Sequence, residues 1–300
     1  MQQPLFTVII STYNRKDILP RAIESVLNQT FPNFELLVID NGSTDSTASV
    51  CDRVKDDRFT YVRNPKPTDS CDGPRNLGIE MAQGNLIAFL DDDDIWYPTR
   101  LEKVKKAFEE NPDVSCVCHN ENKNVDGKIT ETFRYGPWSP DLYERLLYEG
   151  NCLSSCATTI KRDLLKKLDG FDLRKEFCKA ADYDLWIRMA KRGVKIYFID
   201  EPLGEFFLTG HNWSTADPTF RGKLANLLEM HILQHEKKPI LQISKRGMWQ
   251  LFKLNAIAGK RYTKAGDYRN ALRHYRKAAL FVMKKPSLIS TLFSGTVKND

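Results

Sequence analysis

Four consecutive carboxylates, Asp91 to Asp94, follow directly on the apolar run Leu86 to Leu90 and precede Ile95, Trp96, Tyr97 and Pro98. An apolar run of that length, entered from Gly84 and Asn85, reads as a buried strand, so the carboxylates stand at its carboxyl end. In an open α/β sheet that edge is where ligands bind. Aspartates packed together with no adjacent lysine repel one another until a cation or a polar ligand neutralises them. Most acidic runs are solvated loops. This one is pinned between a core strand and an amphipathic helix opened by Pro98, with Leu101, Val104 and Phe108 on its apolar side, and that favours a divalent-metal site. Oxygen-only donors suit Mg2+ or Mn2+ rather than zinc.

The elements that must position those carboxylates alternate in type. Phe6 to Ser11 is a β-branched run that reads as a first buried strand, followed by the polar turn Thr12-Tyr13-Asn14-Arg15. Asp17 is placed to cap a helix whose apolar residues Ile18, Leu19, Ala22, Ile23, Val26 and Leu27 recur at helical spacing. Phe34 to Ile39 predicts a second strand ending at Asp40, Ser46 to Lys55 a helix, and Phe59 to Arg63 a third strand. Pro74 opens a further helix, with Gly84 just past its end. Repeated βα units of this length predict a mainly parallel sheet with helices on both faces. The polar ends of three strands, at Ser11–Arg15, Asp40 and Asp91–Asp93, then gather on one edge. No glycine-rich phosphate loop follows the first strand, which argues against dinucleotide binding and against a P-loop NTPase.

Beyond residue 113 the pattern is less regular. Strands are expected over Val114–Asn120, Lys128–Phe133 after an Asp126-Gly127 turn, Cys156–Lys161 and Val194–Ile199; helices over Leu142–Glu149 and Asp163–Leu168. Tyr183 to Arg192 predicts a helix with Leu185, Trp186 and Met189 inward and Gly193 as its stop. Asp182 lies at its amino end, where the helix dipole favours an ionised carboxylate; on spacing alone it reads first as a cap and second as a base. His231 and His235 stand four apart on a helix without a third ligand nearby, which does not make a metal site.

Three hundred residues are enough for one large α/β domain or two small ones. No apolar run reaches bilayer-spanning length and the N-terminus lacks a signal-peptide pattern, so a cytoplasmic protein, soluble or peripheral on the inner face of the membrane, is expected. Seven cysteines are an odd count in a chain too large to need staples, and are read as reduced, mostly buried thiols. Net charge is unevenly spread. Residues 237–300 hold fifteen Lys and Arg against Asp267 and Asp300, so this stretch carries +13 of a chain whose net charge is +6, leaving −7 on 1–236. Within it, Met248–Lys264 and Tyr268–Lys284 read as a helical hairpin turning at Gly266-Asp267. Gly259, Tyr262, Ala271, Tyr275 and Ala278 fall at spacings similar to a single tetratricopeptide unit. Interleaving of basic residues with Trp249, Phe252, Phe281 and Phe293 suits an anionic membrane surface. No recognised nucleic-acid-binding motif is present.

Taken together, VIISTYNR, ESVLNQTFPNFELLVIDNGSTD, GPRNLGIEMAQGNLIAFLDDDDIWYPTRLEK, GFD and ADYDLWIRMAKRG resemble, in order, the motifs of the family 2 inverting glycosyltransferases of the nucleotide-diphospho-sugar transferase superfamily. The resemblance covers about the first 210 residues. It implies the GT-A fold, a three-layer α/β/α sandwich, here with a C-terminal helical extension: residues 1–120 as the nucleotide-sugar half, 121–236 as the acceptor half, and 237–300 as the basic extension. It implies that Ser11, Thr12, Tyr13 and Asn14 line the nucleotide pocket with Tyr13 against the base, that Asp40 bonds the base or ribose, and that Arg75 contacts the nucleotide. In the DxD motif it places Asp91 and Asp92 toward ribose and metal and Asp93 on the metal, with His211 in the loop through Ser214 as an optional further ligand to metal or diphosphate. Asp182 matches the aspartate of the family's Glu-Asp pair, the catalytic base; the glutamate is replaced here by Ala181, which weakens any contact the glutamate makes to the acceptor.

The activity implied is metal-dependent, inverting transfer of a sugar from a nucleotide-diphospho-sugar, with UDP as the expected nucleotide, to a hydroxyl of a glycan or lipid-linked saccharide in cell-surface polysaccharide synthesis. Two rivals remain. A nucleotidyltransferase shares the sheet and the acidic site but needs a basic glycine-rich triphosphate loop, which STYNRKD is not. A non-catalytic sugar-binding scaffold is made conceivable by Ala181 and the appended hairpin.

Overall fold

The computed structural model describes residues 3–208, 217 and 219–284. The described residues of Met1–Tyr143, Asn151–Leu173 and Ala181–Gly210 form one compact unit, and those of Glu144–Gly150, Arg174–Ala180 and His211–Asp300 form another.

The first unit is built on a nine-stranded sheet. Its strands are β1 (Phe6–Thr12), β2 (Phe34–Asp40), β3 (Phe59–Arg63), β4 (Leu86–Asp91), β5 (Ile95–Trp96), β6 (Cys116–Val125), β7 (Lys128–Phe133), β8 (Thr158–Lys161) and β9 (Ile196–Leu208). The order is β3-β2-β1-β4-β8-β6-β9-β5, with β7 on β6. The part formed by β3, β2, β1 and β4 is parallel, as the βα repeats predict. From β8 onward the sheet is mixed: β8 runs antiparallel to both β4 and β6, β9 is parallel to β6, and β5 is antiparallel to β9.

Helices α1 (Leu19–Leu27), α2 (Thr47–Cys51), α3 (Asp72–Met81), α4 (Arg100–Glu110), α5 (Leu142–Tyr148), α6 (Arg162–Lys167) and α7 (Ala181–Lys191) connect these strands. Every residue of β1 is buried, so its two faces must both be covered. Val8 and Ile10 belong to one core cluster with Leu36, Val38, Ala88 and Leu90, covered by Leu19, Ile23 and Val26 of α1 and Leu101 and Val104 of α4. On the opposite face Ile9 meets α3 at Gly78, where an added Cβ would come within 2.7 Å of the isoleucine. That arrangement is the expected α/β/α layering.

Two local expectations are corrected. Asp17 does not cap α1: the helix begins at Leu19 with Pro20 in its first turn, which makes Ile18 the cap residue, and no side chain bonds the free N–H groups there. The last strand runs from Ile196 through Leu208, well past Ile199, because its pairing continues along β6 to Val125 and takes in β5.

The second unit contains α8 (Phe220–Glu236), α9 (Lys245–Lys264) and α10 (Tyr268–Lys284). The hairpin is where the charge and spacing place it. Gly259 lets Tyr275 approach to 2.7 Å of where a Cβ would sit, and Tyr262 stacks on His274 with centroids 5.4 Å apart. His274 is held in turn by Asn255 at 2.8 Å. No described helix is long and apolar enough to cross a membrane.

Candidate active site

Strand register brings the polar ends together. Ser11 lies opposite Asp91 across the β1–β4 pair, and Thr12 lies opposite Asp40 across β1–β2. The edge inferred from sequence is therefore a single row: Asp40, Thr12, Ser11 and Asp91 on adjacent strand ends. Just beyond it the two following loops are stitched together. Asn14 adopts a left-handed backbone (φ 54°). That conformation lets its side-chain oxygen accept N–H bonds from Thr44 (2.8 Å) and Asp45 (3.3 Å), while its own N–H donates to Ser43 Oγ. Tyr13 is left 51 % exposed, free to meet a planar ligand.

Asp40 is fully buried. Its oxygens accept from Ser43 N–H (2.8 Å) and Tyr61 O–H (2.6 Å), so in this structure it braces the turn after β2, and direct contact with a base requires that turn to shift.

The four aspartates divide by environment. Asp91 is half-exposed and accepts from Arg75 Nη2 at 2.5 Å. Asp92 faces Arg15 at 3.6 Å, yet burial, then repulsion from Asp93 and Asp91, pushes its carboxyl up to about 7. Asp93 is raised to about 6 by burial and by the Asp91 charge; its carbonyl accepts from Arg21, whose guanidinium lies 3.6 Å over the Phe207 ring. Asp94 is buried and serves the fold: one oxygen accepts from Phe207 N–H (2.8 Å) and the other from the Cys156 thiol (3.2 Å). Burial and the neighbouring acids drive its pKa well up.

A cluster of acids held at raised pKa is the electrostatic condition a divalent cation relieves. Asp91, Asp94 and Cys156 have ligand atoms within 4.8 Å of one another. The thiol's own pKa is driven far up by burial and by the Asp91 and Asp94 charges, and both Asp94 oxygens are already bonded, so this trio is a poor match for a hard cation. The carboxylates of Asp91 and Asp93, neither of them fully buried, are the better match, as oxygen donors for Mg2+ or Mn2+.

Arg75 is the hub between this row and α7. It is 5 % exposed, at the start of α3, between Asp91 and Asp72, whose Oδ1 lies 3.5 Å from Nη1. Burial opposes its charge, but the surrounding acids, Asp182 among them, outweigh that and raise its pKa. Asp182, the second residue of α7, is partly accessible. Burial lifts its carboxyl to about 6, with Arg75 pulling it down and Asp72 and Asp91 pushing it up. Arg75 thus binds Asp91 directly and acts on Asp182 through its charge.

α7 is tied to the turn that follows α6. Arg188 donates to Asp184 at 2.5 Å, to the Leu168 carbonyl (2.6 Å) and to the Gly170 carbonyl (2.8 Å). Asn76, next to Arg75, exchanges two 2.8 Å bonds with the backbone of Phe171. Phe171 meets Phe89 of β4 edge-on at 5.2 Å. The GFD turn therefore locks α3, β4 and α7 to one another.

Sequence reasoning missed a buried polar layer under the aspartates. Arg100 is wholly buried over the Trp96 ring (3.7 Å), donating to His119 Nε2 and the Thr158 carbonyl at 3.2 Å each. Burial lowers its pKa to about 9 and lowers that of His119 to about 3, so the imidazole is neutral and accepts through Nε2. Glu121, 1 % exposed, accepts from Tyr135 O–H at 2.8 Å and is raised by burial to about 7. A polar HNENKN run inside a strand, CVCHNENKNV, was the available signal. His211 and Ser214 lie outside the described residues.

The comparisons with known proteins agree with this architecture. The family model for glycosyl transferase family 2 matches residues 7–169. An uncharacterized glycosyltransferase of Rickettsia felis is 34 % identical over 215 residues, 71 % of this chain and 34 % of that protein. The chain thus spans about a third of the length of that relative. The Escherichia coli UDP-Glc:alpha-D-GlcNAc-diphosphoundecaprenol beta-1,3-glucosyltransferase WfaP is 32 % identical over 192 residues, 64 % of this chain and 72 % of that protein. Among solved structures, S. aureus TarS 1-349 in complex with UDP superposes with TM-score 0.61 at 17 % identity, covering 98 % of this chain and 93 % of that one. The mannosyltransferase PcManGT from Pyrobaculum calidifontis, in complex with GDP-Man and Mn2+, does so with TM-score 0.57 at 17 % identity, covering 98 % and 82 %. At such identities the structural likeness speaks for the fold, and the fold is GT-A. With more than half its length matched by the family model, and a relative above 30 % identity covered over most of its own length, the chain belongs to glycosyl transferase family 2.

Proposed function

We propose that the protein transfers a sugar, with inversion, from a UDP-linked donor to a hydroxyl of a glycan or lipid-linked saccharide in the synthesis of a cell-surface polysaccharide. The observation that carries this reading is the row of strand ends that sets Ser11 beside Asp91 and Thr12 beside Asp40, with Arg75 bound to Asp91 at 2.5 Å. The names of WfaP and TarS's bound UDP support the donor class, and PcManGT's Mn2+ supports the metal.

In this reading Ser11, Thr12, Tyr13 and Asn14 line the nucleotide pocket, with Tyr13 stacking on the base. Arg75 and Asp92 hold the nucleotide, and Asp40 acts mainly by bracing the turn beside it. Asp91 and Asp93 hold Mn2+ or Mg2+. A cation bound there offsets the charge of the departing diphosphate without supplying a proton. Asp182 takes the proton from the acceptor hydroxyl as that oxygen attacks the anomeric carbon from the face opposite the leaving group. A carboxyl near 6 is ionised at neutral pH yet more basic than an ordinary aspartate, which suits a general base. The charge of Arg75, which is bound to Asp91, favours the ionised form of Asp182 in a site otherwise crowded with negative charge. A single displacement needs no covalent nucleophile.

The test is Asp182→Asn. Transfer is expected to fall by about 10^3-fold or more, with UDP affinity nearly unchanged. Turnover close to wild type would remove Asp182 as base. Residues 237–300 are the part of the chain that would meet the inner membrane surface, where a lipid-linked acceptor lies.

A further inference from the structure

α10 is amphipathic in an unusual sense. Ala271, His274, Ala278 and Phe281 are buried, and Lys277 is neutralised by Glu229 at 2.8 Å. The outward arc, roughly 100° wide at 3.6 residues per turn, carries Arg269, Leu272, Arg273, Arg276, Leu280 and Met283. Its apolar members are far from covered: Leu272 is 51 % exposed, Leu280 40 % and Met283 77 %. Arg273 and Arg276 pair with no carboxylate among the described residues, and neither α9 nor α10 contains an Asp or Glu. Arg269, Leu272, Arg273 and Arg276 also line one open concavity with Asn270.

We propose that this arc docks on an anionic lipid bilayer, the three arginines meeting headgroup phosphates while Leu272, Leu280 and Met283 enter the interface. The mixture decides the partner. Arginines alone fit any polyanion, and exposed aliphatic side chains alone fit any apolar groove. One helix face carrying both, with no acid on it, fits a surface that is anionic outside and apolar beneath. The proposal deepens the membrane-facing role given above to residues 237–300, and docking itself needs neither donor nor acceptor.

The experiment is vesicle flotation of the full chain. It is expected to float with phosphatidylglycerol–phosphatidylcholine vesicles and to stay down with phosphatidylcholine alone. Each arginine near the surface is worth about fivefold in partition, so R273Q/R276Q should lower flotation by roughly 25-fold. Leu272→Ser with Met283→Ser should lower it further while the circular dichroism of all variants stays that of the wild type. Asp182→Asn should float normally, which separates failure of docking from failure of the transferase reading. Flotation indifferent to the arc variants, or equal on neutral vesicles, would overturn the proposal. So would a concentration-dependent dimer abolished by the same changes, or duplex DNA binding that resists the serine changes.

Discussion

The β4 edge and α10 each crowd charges of one sign, and the protein treats them in opposite ways. At the edge, Asp92 and Asp93 are enclosed enough that their carboxyls rise to about 7 and 6, and Asp91 and Asp72 share Arg75, which is nearly buried. On α10 the arginines are exposed and separated by apolar side chains. Enclosed like charges raise each other's energy and call for a counter-ion inside the site; exposed ones are screened by water and salt and cost the fold little. The first pattern marks chemistry and the second marks a surface.

Stability measurements can break that contrast. The largest effect should follow Arg75→Leu, which strands Asp72 and Asp91 without their shared cation; urea unfolding should show a loss of about 3–5 kcal/mol. Gly170→Ala comes next. Its backbone is left-handed (φ +62°) and the new Cβ would fall 2.4 Å from Asn76 Oδ1, in the turn that fixes α7, so about 1–3 kcal/mol is expected.

A smaller effect is the response to pH. Asp92, Asp93, Asp182 and Glu121 have folded pKa values raised above the ordinary carboxyl range, so between about pH 4 and 7 the folded state holds more protons than the unfolded one. Their contribution to stability therefore falls as pH rises through that window. Metal-free protein should melt a few degrees lower at pH 7.5 than at pH 5.5, and Mn2+ should recover part of the difference at the higher pH. The smallest effect belongs to α10: Arg276→Ala should change unfolding free energy by less than about 0.5 kcal/mol. A loss comparable to that of Arg75→Leu would end the contrast.

What could be read beforehand follows the range of the interactions. The strands β1, β2 and β4 and their polar ends were legible because each is a local run of apolar residues ending in a carboxylate or hydroxyl, and one parallel register suffices to align them. The hairpin was legible from helical spacing and charge. Asp94 was left without a role, and its structural one was not legible because its partners, Cys156 and Phe207, lie far along the chain. The Arg100–His119 pair was likewise hidden, since nothing local says that an arginine at a helix start will be wholly buried. β5 is two residues long and exists only because β9 pairs with it. Asp17 failed as a cap because Pro20 and the Arg15–Leu19 backbone bond set the helix start two residues later.

The central claim, that the acidic edge holds a cation on which nucleotide binding depends, is tested most directly by calorimetric titration of UDP into the protein with Mn2+ and with chelator, for wild type and Asp93→Ala. The account predicts that wild type binds UDP at least about 100-fold more tightly with Mn2+, and that Asp93→Ala loses that gain. Equal affinity in Mn2+ and chelator, unchanged by Asp93→Ala, would contradict it.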